Sequence, residues 1–219
     1  VVPRWAESGG KDSLFIRYKN PKFTKKILEE TKKNITRRGG PDKLLIVKSI
    51  EPKFVGKNLL EISELLKVSP EVAVFETLKT GYIRVASFNM NSKDIHTFMK
   101  QNWVVTGSDG NTGHPRKYGS FPRKYHKYVQ QEKVLDIATF INGSTSKTAE
   151  ILKIKNRGKL VENYFADIII FNPKTFKDIA DYTDAFKLSE GLEYSIINGK
   201  LAVDKGQYTN KLNGKVLKK

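Results

Sequence analysis

The sequence predicts an α/β fold, and three features carry that expectation. The apolar run Trp103-Val104-Val105-Thr106 stops in Gly107-Ser108-Asp109-Gly110. This is the pattern of a buried strand that delivers one carboxylate to its C-terminal tip, where glycine lets the backbone turn sharply. An α/β barrel keeps its chemistry at such tips. Ahead of that run helical and strand-like stretches follow one another, and beyond Lys159 the period changes to that of strands. Asp-Gly alone is also an ordinary turn pair. The fixed distance to His114-Pro115-Arg116 and to Tyr118-Gly119-Ser120-Phe121-Pro122-Arg123 adds a density of special residues that a simple turn does not require.

Taken in order, the chain opens with a turn-rich stretch to Gly10. Asn20-Pro21 then precedes a helix over 22–33, with Phe23, Ile27 and Leu28 on one face and basic residues coating the solvated side. Arg37-Arg38-Gly39-Gly40-Pro41 breaks that pattern, and 44–47 reads as a strand. A short amphipathic helix over 58–66 turns Leu59, Ile62, Leu65 and Leu66 inward. Ser69-Pro70-Glu71 starts the next helix with a cap, a proline in the first turn and an acid near the positive end. Residues 82–90 alternate as a strand does, and Ser92 caps a helix carrying Ile95, Phe98 and Met99. His96 lies on that helix without a partner one turn away, so it reads as a surface or helix-end histidine and not as a metal ligand.

After Asp109 and its loop, 125–140 is helical, with Asp136 a cap for the stretch through 142, and another short helix runs from Ser144 to near Leu152. Strands follow at 159–171, 192–197 and 200–203. Asn198-Gly199 joins the last two, a dipeptide suited to a type I′ hairpin because both turn residues need positive φ. Gly206 and the segment from Asn213 to Leu217 point to one more edge strand.

A length of 219 residues allows one large domain or two small ones. The formal charge of +17 would ordinarily raise nucleic acid or an anionic surface as a partner. Here the lysines are scattered with glutamates among them and no aromatic-basic reader motif is present, so neither nucleic acid nor a membrane is expected as a partner. The absence of cysteine excludes disulfides and thiolate metal sites within this chain and fits a reducing compartment, hence a cytoplasmic location. No apolar stretch has the length of a membrane span, and no signal peptide is visible.

With these motifs in view, the chain resembles the D-aminoacylase branch of the metal-dependent amidohydrolases, the N-acyl-D-amino-acid deacylases. Val2-Pro3-Arg4-Trp5-Ala6-Glu7-Ser8-Gly9-Gly10 is similar to that family's Pro-x-Trp-Ala-x-x-Gly-Gly block, which leads into a segment inserted in the barrel. Ser108-Asp109-Gly110, His114-Pro115-Arg116 and the stretch from Tyr118 to Arg123 are similar to its last barrel strand and the loop after it. Asn156-Arg157-Gly158, the run from Tyr164 to Phe171 and the run from Glu190 to Gly199 are similar to its closing β-domain. The Ala-Asp run and the Asn-Gly hairpin occur across the wider superfamily, so the specific likeness rests on the Trp-Ala and His-Pro-Arg blocks.

The resemblance implies the C-terminal part of a (β/α)8 barrel with an inserted small α/β lid segment, followed by part of a β-sandwich. Residues 1–101 would be the insert between the last two barrel strands, 102–155 the last barrel strand and its helices, and 156–219 strands of the β-domain. A complete barrel takes roughly 250 residues, and the chain begins with Val1. It is therefore expected to be the C-terminal portion of a longer enzyme, or a cut or clipped chain, whose partner is the N-terminal barrel portion of the same enzyme.

The resemblance also implies a zinc-dependent hydrolysis of N-acyl-D-amino acids. Asp109 would contact the zinc or its water and move the water's proton to the leaving amine, and Arg116 would hold the substrate carboxylate with its planar fork of donors. His114 would shape the loop, and Arg123 would pin the following helix. The family's His-x-His, bridging cysteine and later histidines have no counterparts, since His96, His114 and His126 are the only histidines. A catalytic zinc needs about three protein ligands, so this chain by itself is expected to be inactive. Phe140, Thr148 and Asn163 depart from the family's alanine, proline and glycine. Phe140 and Thr148 imply repacking of the final helix, and Asn163 is the mildest change because asparagine tolerates the left-handed conformation. Two other readings fit the residues: a related amidohydrolase acting on another acylated amine or cyclic amide, and a non-catalytic basic domain that binds anions.

Overall fold

The computed structural model describes residues 1–110 and 113–217. The chain divides into two compact units, one of residues 1–90 and one from Asn91 onward.

In the first unit, α1 (Arg4–Glu7) lies within the stretch to Gly10 expected to be turns, and α2 (Gly10–Lys19) begins at its last residue. Gly9 and Gly10 both stand at φ +88°, so the glycine pair does mark a turn, but a ten-residue helix that buries Leu14 starts within it. The next helix, α3 (Pro21–Arg37), is capped by Asn20, whose side chain accepts from the Lys22 amide at 3.0 Å. It runs four residues past its expected end because its buried stripe is Ile27, Thr31 and Ile35. The i, i+4 spacing is that of a helix face, but a threonine in the middle hides it from a hydrophobicity count.

β1 (Leu44–Ser49) pairs antiparallel with β2 (Ile83–Ser87), Leu44 opposite Ser87, with a register shift between Ile46 and Lys48. Between them lie α4 (Leu59–Leu66) and α5 (Pro70–Lys79). Asn58 and Glu61 close a reciprocal capping box at the start of α4, at 2.9 and 2.7 Å. Ser69 holds the cap position of α5 but makes no side-chain cap bond. The core gathers Ile27, Phe54, Ile62 and Phe75, all essentially inaccessible, and Tyr18 stacks on Phe75 with ring centres 4.0 Å apart. Burying each such side chain contributes about 1.5–3 kcal/mol.

The second unit begins with α6 (Ser92–Met99), whose cap is Asn91, one residue earlier than expected, accepting from the Lys93 amide at 2.8 Å. The run 103–106, expected as a strand, is irregular. A strand exists only through a ladder with a neighbour, and no strand lies beside this run among the described residues. Instead the Thr106 amide donates to the Gly143 carbonyl at 3.2 Å. Next, α7 (Arg116–Arg123) contains Pro122 and passes directly into a π-helical segment, Lys124–Gln131. Proline brings no N–H to the helical ladder, and the wider register begins two residues later. Asp136 caps α8 (Ile137–Ser144) as expected, accepting from the Thr139 amide at 2.7 Å, and α9 (Ser146–Ile151) follows.

The remainder is a four-stranded antiparallel sheet in the order β3 (Ile168–Phe171), β4 (Leu192–Ile197), β5 (Lys200–Asp204), β6 (Gln207–Tyr208). The β4–β5 turn has Asn198 at φ +51° and Gly199 at φ +76°, as a type I′ hairpin requires. Strand 159–171 contracts to its last four residues, and Asn163, at φ +64°, sits in the irregular part. Residues 213–217 form no strand; Asn213 is instead tied to the hairpin through Asn198 and Leu201. Gly191 is obligatory: at φ +78° a Cβ would lie 2.4 Å from the Phe176 amide nitrogen.

Tyr125, Phe140 and Phe176 form the local core, with Phe171 packed edge-on to Tyr125 at 5.2 Å. The fold is α/β, as expected. Among the described residues from Asn91 onward this four-stranded sheet is the only one, and no closed barrel forms.

Candidate functional site

Thr106 anchors the segment that leads to the expected site. Its hydroxyl lies 3.3 Å from that of Ser144 and accepts from Lys124 Nζ at 2.8 Å. Burial lowers the Lys124 ammonium below the ordinary lysine value. This Lys124–Thr106–Ser144 chain was not legible in the sequence, since Thr106 lies 18 positions from Lys124 and 38 from Ser144.

Beyond Thr106 the backbone reverses at Asp109, which adopts φ +43°. Aspartate tolerates this region better than most residues. Its side chain is 85% exposed. Arg116 opens α7 and reaches back across the loop. Its Nη2 lies 2.5 Å from Asp109 Oδ2, and its Nε donates to the Asp109 carbonyl at 2.9 Å. His114 fixes the start of the helix by accepting from the Arg116 amide through Nδ1 at 3.1 Å, and its ring packs edge-on against Tyr182.

Helix α7 is held in turn by the long connection between β3 and β4. Ser189 donates to the Tyr118 carbonyl at 2.6 Å, and Arg123 pairs with Asp178 at 3.0 Å. Arg123 thus ties α7 to that connection and not to the following helix, a correction to the sequence reading. The two residues singled out for chemistry are brought together, but as partners of each other on an exposed turn. Asp109 lines neither the cavity in residues 1–90 nor the one beneath 159–168.

No group of three or more histidine, aspartate, glutamate or cysteine side chains that could hold a metal occurs among the described residues. His96 pairs with Glu132 at 2.9 Å, and His126 contacts Gln130 and Gln131. Asp109 alone does not meet the three-ligand requirement of a catalytic zinc, so the residues of this chain do not by themselves fit the metal.

The likeness expected from the motifs is found in the comparisons with known proteins. No family model matches the chain. The chain is nonetheless similar to known amidohydrolases. Within that class its relatives are D-aminoacylases and N-acyl-D-amino-acid deacylases. A D-aminoacylase of Alcaligenes xylosoxydans xylosoxydans is 28% identical over 170 residues, 76% of this chain and 34% of the relative. A D-aminoacylase crystal structure, described as defining a novel subset of amidohydrolases, superposes with a TM-score of 0.72 at 25% identity, over 80% of this chain and 38% of its own. An N-acyl-D-glutamate deacylase from Bordetella bronchiseptica, solved with zinc and a phosphonate mimic of the tetrahedral intermediate, shares the fold with a TM-score of 0.66 at 24% identity, over 76% of this chain and 36% of its own. The chain spans about a third of the length of the curated relatives it matches.

Proposed function

We propose that this chain is the C-terminal part of a metal-dependent amidohydrolase that cleaves N-acyl-D-amino acids to a carboxylate and a free D-amino acid. The observation that carries the reading is the meeting of the Asp109 carboxylate and the Arg116 guanidinium at 2.5 Å in a chain homologous to D-aminoacylases. A carboxylate can accept and return a proton, and a guanidinium presents a planar fork to a carboxylate. Arg116 holds the α-carboxylate of the amino-acid portion in place of Asp109, and Asp109, so released, accepts the proton of the attacking water and passes it to the leaving amine.

The zinc named for the deacylase relative belongs to this proposal, with Asp109 as one ligand. The other ligands come from the N-terminal barrel portion of the same enzyme. No step is assigned to the metal, because the residues of this chain do not complete a site for it. The 219-residue chain alone is inactive.

The test is to co-express the chain with the upstream segment of its protein, supply zinc, and assay N-acetyl-D-amino acids. Asp109→Asn lowers turnover by about 10²-fold or more, the usual contribution of a positioned acid–base group. Arg116→Ala raises KM for substrates with a free α-carboxylate. Equal rates for wild type and Asp109→Asn refute the role of Asp109; unchanged KM in Arg116→Ala refutes that of Arg116.

A further inference from the structure

A cavity of about 310 Å³ lies within residues 1–90, between the C-terminal end of α3, the β1–β2 ribbon and helices α4 and α5. This is within the size range of small-molecule sites. Its walls are largely aliphatic: Leu44, Ile46, Leu59, Val74, Leu78 and Ile83. Val85 also lines it and is 46% exposed, which puts Val85 at the rim.

Val1, Val2, Glu7, Thr77 and Ser87 complete the lining, and Arg38 is its one cationic side chain. It stands at the C-cap of α3, and its Nε is buried with no hydrogen-bond partner among the described residues. No ion pair of Arg38 occurs among them either. The hydroxyl of Thr77 is already used inside its own helix, donating to the Ala73 and Val74 carbonyls at 2.9 Å, and Glu7 is exposed. Arg38 as a whole is half-buried, but its Nε–H without an acceptor forgoes the hydrogen bond it would make in water. An anionic oxygen satisfies both the hydrogen bond and the charge, and the aliphatic walls take whatever is attached to it. We propose that this cavity binds a medium-chain aliphatic carboxylate, its head group on Arg38 and its chain among the leucine, isoleucine and valine side chains. This does not rest on the deacylase reading.

The 219-residue chain is titrated with octanoate, 1-octanol and acetate, octanoate being kept below its micelle threshold, by calorimetry and by amide NMR. Octanoate binds saturably with one site, shifting the amides of Val74, Ile83 and Val85, while octanol and acetate bind ~10-fold more weakly or less. Arg38→Gln brings octanoate to the octanol level and leaves octanol unchanged. Val85→Trp, a change at the exposed rim that does not threaten folding, abolishes binding of both. Absence of saturable octanoate binding, equal affinity for octanoate and octanol, equal affinity for acetate and octanoate, or shifts confined to other residues overturns the proposal. Were Arg38→Gln to unfold, the octanoate–octanol difference and Val85→Trp decide the matter alone.

Discussion

Asp109 and Arg116 satisfy each other through two contacts, one to the carboxylate and one to the Asp109 carbonyl. The carbonyl contact needs the bent geometry of a guanidinium, so Arg116→Lys keeps the charge but loses the second bond. Because the pair is exposed, the stability change is expected to stay under about 1 kcal/mol. Faster hydrogen exchange at Asp109 and Gly110 is the more sensitive readout. Asp136 gives a clearer dependence on pH. The Thr139 amide, then the Thr139 hydroxyl, holds its carboxyl below the ordinary aspartate value. A folded-state value below the unfolded one means that the stabilisation is present above the unfolded value near pH 3.9 and is lost as pH falls through the folded value. Thermal melts of Asp136→Ala should therefore fall below wild type at neutral pH and converge with it in strong acid.

Residue identity was legible where a side chain acts on its immediate neighbours in sequence. Asn20 precedes α3 and Asp136 caps α8 as read, whereas Ser69 makes no cap bond and Asn91 takes the place expected of Ser92. Lys124 was not legible, since its burial comes from segments distant in the chain.

Among elements, α4 illustrates a local device with a measurable weight. Asn58→Ala removes one arm of the capping box and leaves an orphan donor at the helix start, so a loss of about 1 kcal/mol in denaturant unfolding is expected. Phe140 is 5% exposed and packs on Tyr125 at 5.6 Å between ring centres. Phe140→Ala should cost about 3–5 kcal/mol, more than the cap, because it leaves a cavity in a small core. Phe140, expected to imply repacking of the final helix, lies in the Tyr125–Phe140–Phe176 cluster. Strand expectations fared unevenly for one reason. The Asn198-Gly199 hairpin needs only positive φ at two adjacent residues and formed as read. The 103–106 run needs a partner strand from far away and stayed irregular.

For the whole chain, the two units differ in how completely each buries its own apolar surface. The core of residues 1–90 is continuous from Ala6 to Phe75 within that unit. A 1–90 fragment is expected to fold alone, with dispersed amide NMR signals and a cooperative melt. From Asn91 onward, β3 lies at a sheet edge with Ile169 55% and Ile170 48% exposed, and Leu160 is 77% exposed. Such an edge recruits another strand or aggregates. The intact chain should bind a hydrophobic dye, and Ile169→Lys should reduce that binding without lowering the melting temperature. Under the proposal that the N-terminal barrel portion completes the enzyme, co-expression with it should protect the β3 amides from exchange; unchanged exchange would count against that partner. No helix among the described residues is long and apolar enough to cross a membrane.

By itself the sequence determined the α/β character, the Asp136 cap, the hairpin and the likeness to D-amino-acid deacylases, because each depends on short spacings or on side chains acting within a few residues. Only the tertiary structure decided that Asp109 and Arg116 face each other, that Arg123 grips Asp178, that Lys124 is partly buried against Thr106 and that Arg38 has a buried N–H beside an aliphatic cavity. Those outcomes depend on which distant segments pack together, and no local spacing encodes the solvent and charge that a fold removes or supplies.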